Sequence, residues 1–138
     1  FHGEHFQTLS AVRDDGERLM TAETAPAPAP AQWMTQPLRN TWLSDPLAVD
    51  AALQLNILWT LEHLHAASLP TYLAEYRQYR SFSKQPVRLV LRVEEQTPQR
   101  CVATVDFVNH SGELIARLSG YESTVEPTLA AAFAENRL

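Results

Sequence analysis

The sequence predicts an α+β domain in which a curved antiparallel sheet of about six strands wraps round one central helix. A stretch near the middle of the chain has helical spacing and is apolar on almost every side. The residues after Pro70 alternate as β-strands do, and a turn signal near the start indicates a hairpin. One apolar helix and about six strands bury their surfaces most economically when the sheet curls round the helix, which is the hotdog fold.

The first two strands are predicted on either side of an Asp-Gly turn. The segment "FQTLSAVRDDGERLMTAETA" contains Asp15 and Gly16, a pair typical of two-residue hairpin turns. The segment "APAPAPAQWMTQP" follows, and its alternating prolines lack the N–H groups that a strand ladder needs. Residues 25–37 are therefore predicted to form a connecting loop or crossover.

The central helix is predicted to begin at Asp45-Pro46. The Asp45 side chain can accept a hydrogen bond from a free N–H group, and proline suits the first helical position. His63 and His65 come at the helix end, where a positive charge is favourable. The residues that keep helical spacing, and that we expect to be buried against the sheet, are Val49, Leu53, Ile57 and Leu61.

Three or four consecutive antiparallel strands are predicted after the helix. In "VRLVLRVE", Val87 and Leu89 fall on one face of the strand, whereas Arg88 and Arg92 fall on the other. The segment "NHSGE" is predicted to be the turn between the last two strands. We predict a hotdog domain over residues 1–125 and a tail or linker over residues 126–138.

Composition excludes several classes of function for this 138-residue chain. A net charge of −5 argues against nucleic acid or an anionic membrane as a partner. Cys101 is the single cysteine, which excludes an internal disulfide, suits a reducing cytoplasm, and is predicted to be a small buried hydrophobe. His2 and His5 flank Glu4 without the spacing of a metal site. The chain begins at Phe1 rather than Met, so we expect it to be part of something longer.

Asp50 and Gln54 are the candidate site residues. They are four residues apart, so they share a face of the helix, among apolar neighbours. Apolar surroundings raise the pKa of the Asp50 carboxyl, whereas the positive end of the helix lowers it. If the apolar surroundings have the larger effect, Asp50 is a general acid and Gln54 is the partner that orients it. The alternative is an ordinary solvated aspartate in the first turns of a helix, favoured by the dipole.

The segments "FHGEHFQTL" and "PLAVDAALQ" resemble parts of the C-terminal half of dehydratase domains from polyketide synthases and polyunsaturated fatty-acid synthases. "FHGEHFQTL" is similar to the "GPxFQ" segment that opens the second of two fused hotdogs in that family, and "PLAVDAALQ" is similar to the "LLDAALQ" that begins its central helix. The last hairpin, "VNHSGELIARLSGYESTV", is also similar. The matching residues are Gly3, Phe6, Gln7, Asp50, Ala51, Ala52, Leu53, Gln54, Leu69 and Pro70.

The resemblance implies elimination of water from a β-hydroxyacyl thioester carried on the phosphopantetheine of an acyl carrier protein, with no other cofactor. It makes Asp50 the acid that protonates the departing hydroxyl, and Gln54 its positioning partner. A histidine in an "HxxxGxxxxP" motif takes the α-proton in that family, and this chain has no such motif. Glu4 also replaces the proline of the first motif.

The missing histidine motif leaves three interpretations of the chain. The first is one half of a dehydratase, completed by a second hotdog that is either fused or homodimeric. The second is a non-catalytic, dehydratase-like module that docks neighbouring domains or carrier protein. The third is a stand-alone hotdog thioesterase or hydratase that assembles its site across a homodimer.

Overall fold

A six-stranded antiparallel sheet and one long helix make up the domain in the computed structural model, which describes residues 3–129, 131 and 132. The strand order across the sheet is β1-β2-β4-β5-β6-β3, and the sheet wraps round helix α2. This is the predicted hotdog fold. The elements are β1 (Leu9–Gly16), β2 (Leu19–Thr24), α1 (Pro30–Trp33), α2 (Pro46–Leu64), β3 (Ser68–Gln78), β4 (Val87–Thr97), β5 (Arg100–Val108) and β6 (Leu114–Val125).

The turn of the β1–β2 hairpin lies two residues later in the chain than the sequence predicts. Gly16 is the last residue of β1 and pairs with Leu19, so Glu17 and Arg18 form the turn. The strand register shifts between Asp14 and Gly16, where the glycine has a φ of +138°. The positive φ of Gly16 thus produces an irregularity in the strand beside the turn. An Asp-Gly pair in the sequence can mark either such an irregularity or the turn itself.

Helix α2 begins and ends as its terminal residues dictate. The carboxylate of Asp45 accepts a hydrogen bond from the Ala48 N–H at 3.0 Å, and Pro46 occupies the first helical position, as predicted. The helix ends after Leu64, because His65 adopts a left-handed conformation with a φ of +51°. The predicted tail begins after β6, and residues 130 and 133–138 lie outside the described part of the chain.

The face of α2 that packs on the sheet is not the one predicted. Val49 and Leu53 are only partly buried, and Leu61 is 42% exposed. The side chains that fill the core are on the opposite side, where alanines let the strands approach closely. The apolar surface extends nearly all the way round the helix, so spacing alone did not identify this face. The buried residues of α2 are Leu47, Ala48, Ala51, Ala52, Leu55, Asn56, Trp59 and Thr60.

Two polar residues of α2 are fully buried beneath the sheet. The Asn56 amide donates to the Ser123 hydroxyl at 2.9 Å, and the Thr60 hydroxyl donates to the Ile57 carbonyl at 2.9 Å and accepts from the Ser68 hydroxyl at 2.9 Å. Cys101 is buried beside Asn56, its thiol 3.4 Å from the amide oxygen, and burial raises the pKa of that thiol to about 11. The thiol is therefore protonated at neutral pH, and its burial agrees with the predicted small buried hydrophobe.

The outer face of the sheet carries the charges that the alternation predicts. Leu89 is buried and Arg88 is exposed on β4, while Arg92 and Arg117 both contact the carboxylate of Asp106. Burial alone would raise the pKa of Asp106, but hydrogen bonds from the two guanidiniums lower it below its ordinary value. Residues 109–113 form the predicted turn between β5 and β6.

Candidate functional site

Asp50 and Gln54 contact each other on the face of α2 that points away from the core. The Gln54 amide donates a hydrogen bond to Asp50 Oδ2 over 2.5 Å. Both residues are half-buried, one turn apart near the start of the helix. The contact between the two is therefore as predicted, and the chemical role of Asp50 stays a prediction.

A second hydrogen bond fixes the amide of Gln54 to the start of the chain. Its Nε2 also donates to the Phe6 carbonyl at 2.8 Å. Phe6 is the last residue of a short 3-10 turn, Glu4–Phe6. In this turn the Phe6 N–H donates a hydrogen bond to the Gly3 carbonyl at 2.9 Å. The two segments that carry the family resemblance thus meet at Gln54. The amide has one orientation that serves both acceptors, and that orientation directs its N–H toward Asp50.

Three aromatic rings pack beside this contact. The ring centroids of Phe6 and Trp33 are 5.8 Å apart, and those of Trp33 and Trp42 are 5.7 Å apart. Both tryptophans belong to the stretch between β2 and α2, which also contains the short helix α1. Residues 25–37 were predicted to be a connecting loop or crossover, and they contain α1 and Trp33. Tryptophans within a proline-rich stretch were the available signal that this segment packs against something.

The histidines lie away from Asp50 or are exposed. His63 stacks on Trp59 with ring centroids 4.8 Å apart, and its Nε2 is 2.9 Å from Asp14 Oδ2. His63 follows Asp50 by thirteen residues, so about 20 Å of helix separates them. His5 is exposed, and His2 is outside the described residues.

Neither a metal centre nor a bilayer-spanning helix is found within residues 3–129, 131 and 132. No three or more His, Cys, Asp or Glu side chains in this range come together in a way that could hold a metal ion. No helix in the same range is long and apolar enough to cross a bilayer.

Residues 1–132 match the family model described as "Polyketide synthase dehydratase N-terminal domain". The chain belongs to this family. The match extends over all the described elements, including both segments that meet at Gln54. The description of the family refers to an N-terminal domain, whereas the motifs of the chain resemble a C-terminal half. No curated protein sequence matches the chain closely enough to count as a relative.

Several solved structures have the same fold as this member of the dehydratase family. An enoyl-isomerase of a trans-acyltransferase polyketide synthase is 23% identical, with a TM-score of 0.67 over 88% of this chain and 46% of that one. The dehydratase domain from the CurJ module of curacin polyketide synthase is 17% identical, with a TM-score of 0.70 and coverages of 93% and 44%. The dehydratase domain of RzxB from Pseudomonas fluorescens is 18% identical, with a TM-score of 0.70 and coverages of 88% and 42%. The chain thus spans less than half the length of each.

Proposed function

We propose that this chain is the aspartate-bearing half of a dehydratase that eliminates water from a β-hydroxyacyl thioester. The observation that carries the proposal is the Gln54 amide, which bridges the Asp50 carboxyl and the Phe6 carbonyl. A side chain held in this way has few alternative positions, and a positioned acid is what proton transfer to a leaving group requires. The family match supports the same reaction class.

The proposed reaction uses two proton transfers. A base removes the α-proton of the thioester, the C–O bond at the β-carbon breaks, and Asp50 gives its proton to the departing hydroxyl, which leaves as water. The electron pair of the broken C–H bond forms the double bond, so atoms and charges balance. We propose that the base is a histidine on a second hotdog, because this chain has no "HxxxGxxxxP" motif and His63 is about 20 Å away along the helix.

The second hotdog is proposed to cover the outer face of α2. Leu58 and Leu61 on that face are 37% and 42% exposed in this chain. The β3 edge of the sheet exposes Tyr72 and Leu73 and is regular from Tyr72 to Gln78, with one register shift before Tyr72. The β1 edge has two register shifts and a positive φ at Ala11, and a regular edge favours strand pairing more than an irregular one. We therefore propose pairing through β3, with either a fused hotdog or a second copy.

We propose that the chain is the C-terminal of the two halves. The resemblance of "FHGEHFQTL" and "PLAVDAALQ" to the second hotdog supports this order. The proposal expects an "HxxxGxxxxP" motif upstream in the full-length protein that carries this sequence. That protein would act in the cytoplasm on substrates held by acyl carrier protein, with no cofactor beyond the phosphopantetheine of the substrate.

The test is Asp50→Asn in the full-length protein, assayed with a β-hydroxyacyl pantetheine thioester. Asparagine keeps the shape of the side chain but has no carboxyl proton to give, so we expect the rate to fall about 10²–10⁴-fold. Glu62→Gln is the matched control, because it removes an exposed carboxylate from the same helix and should leave the rate unchanged. Wild-type activity in Asp50→Asn would exclude Asp50 as the acid. An unmutated protein that never dehydrates would favour the docking module.

A further inference from the structure

The Asp50–Gln54 pair is connected to a surface groove by the row of aromatic rings. The Phe6 carbonyl accepts the hydrogen bond from Gln54, and the rings of Phe6, Trp33 and Trp42 follow one another at centroid distances below 6 Å. Trp42 lines the groove itself. A series of contacts, first to the main-chain carbonyl of Phe6 and then through the three rings, therefore links the candidate acid to the groove.

The groove has a volume of about 340 Å³ and is lined mainly by apolar side chains. This volume is within the range of small-molecule sites, roughly 300–1,000 Å³. One of its few hydroxyls, that of Ser44, is already 2.5 Å from the Tyr76 hydroxyl. The apolar residues that line it are Pro30, Met34, Pro37, Leu38, Trp42 and Leu43.

Hydrogen bonds to three parts of the domain hold the walls of this groove. Trp42 Nε1 donates to the Pro28 carbonyl at 2.7 Å, and the Gln78 amide donates to the Leu43 carbonyl at 2.9 Å. The Ala27 N–H donates to Asp45, the residue that caps α2, at 2.9 Å. These contacts join the segment to itself, to β3 and to the start of α2, so the groove and Asp50 are fixed to the same helix.

We propose that this groove binds the aliphatic part of the acyl chain, and that Met34 and Trp42 determine which chain lengths are accepted. The proposal rests on the dehydratase function proposed above. A chain of methylenes forms no hydrogen bonds and gains free energy for each group removed from water, which suits an apolar wall. The pantetheine arm contains amides that would lose hydrogen bonds on such a wall, so we assign the groove to the acyl end.

The kinetic test compares Met34→Ser with Val12→Ser in the full-length protein. Met34 and Val12 are both 42% exposed, but Val12 is on the β1–β2 hairpin, away from the groove. For Met34→Ser we expect kcat/KM to fall about tenfold with a ten-carbon β-hydroxyacyl pantetheine and less than about twofold with a four-carbon one. Val12→Ser should change neither value. An unaltered dependence on chain length in Met34→Ser would overturn the inference.

A binding measurement separates this inference from the proposed function. Decanoyl pantetheine lacks a β-hydroxyl, so it can bind but cannot be dehydrated. The measurement uses the 138-residue chain, which has three tryptophans. Trp59 is buried in the core, so a change in emission would come from Trp33 or Trp42. We expect decanoyl pantetheine to change the emission, and Trp42→Phe to remove most of that change.

The two readouts fail independently. If the emission changes as expected but no thioester is dehydrated, the dehydratase function is wrong and the acyl groove stands. If dehydration occurs but the emission of the unmutated protein does not respond to decanoyl pantetheine, the groove is wrong and the dehydratase function stands. A response that persists in Trp42→Phe would place the chain elsewhere and also overturn the inference.

Discussion

The two faces of α2 differ in side-chain size and in what surrounds them. The inner face places Ala51, Leu55 and Trp59 against the sheet with no exposed surface. The outer face carries the Asp50–Gln54 pair together with partly exposed leucines. One helix thus provides core packing on one side and a candidate site on the other. Substitutions on the two faces should therefore affect different properties, stability for the inner face and chemistry or association for the outer face.

The largest expected difference between the faces is between two leucines of the same helix. Leu55→Ala removes a fully buried side chain and should lower the free energy of unfolding by about 2–5 kcal/mol. Leu61→Ala removes one that is 42% exposed and should cost less than about 1 kcal/mol. Urea denaturation of both variants measures the difference. Equal costs would mean that the inner face does not dominate the stability of the domain.

Much of the fold could be predicted from the sequence because local signals and the global pattern agree. The Asp45-Pro46 start, the alternating strands and the 109–113 turn each depend on nearby residues alone. The buried face of α2 could not be predicted, because apolar residues surround the helix and only the sheet decides which of them are covered. The prediction that Leu53 is buried against the sheet was wrong for that reason, since Leu53 is only partly buried and Leu55 lies in the core.

The candidate site was predicted only in part. The Asp50–Gln54 contact follows from four-residue spacing on a helix, which is local. The Phe6 carbonyl that also accepts from Gln54 is 48 residues away in sequence. The aromatic rings beside it belong to a segment whose prolines indicate a connector. Contacts of this kind depend on tertiary packing, which spacing does not encode.

The next largest effect concerns the polar residues on the inner face. Asn56→Ala removes the buried hydrogen bond to Ser123 and leaves that hydroxyl without its donor, so we expect a loss of about 1–3 kcal/mol. A double-mutant cycle with Ser123→Ala should give a coupling energy of roughly 0.5–3 kcal/mol, since the two side chains are in contact. Additive effects in that cycle would mean that the hydrogen bond contributes nothing to stability.

A smaller effect, from outside the helix, tests whether the outer face of the sheet also contributes. Arg92 and Arg117 lower the pKa of Asp106, so its stabilising contribution is present at pH 7 and is lost as the pH falls through that lowered pKa. Asp106→Asn should cost about 1–2 kcal/mol at pH 7, a value kept small because both guanidiniums are more than a third exposed. The cost should shrink below about pH 4. A cost that is independent of pH would contradict the ion pairs as its source.

The smallest expected effect on stability is that of a polar substitution on the outer face, and it is informative because association should change instead. Leu61→Gln should alter the free energy of unfolding by no more than about 0.5 kcal/mol, since the side chain is already partly in water. If a second hotdog covers this face, the 138-residue chain should self-associate in sedimentation velocity, and Leu61→Gln should weaken that association.

Val12→Gln is the matched control, because Val12 is equally exposed but lies on the β1–β2 hairpin. Self-association that Leu61→Gln leaves intact, or that Val12→Gln weakens as much, would place the partner on another surface. A chain that stays monomeric at high concentration would contradict pairing with a second copy, and the fused hotdog would then be the partner to look for in the full-length protein.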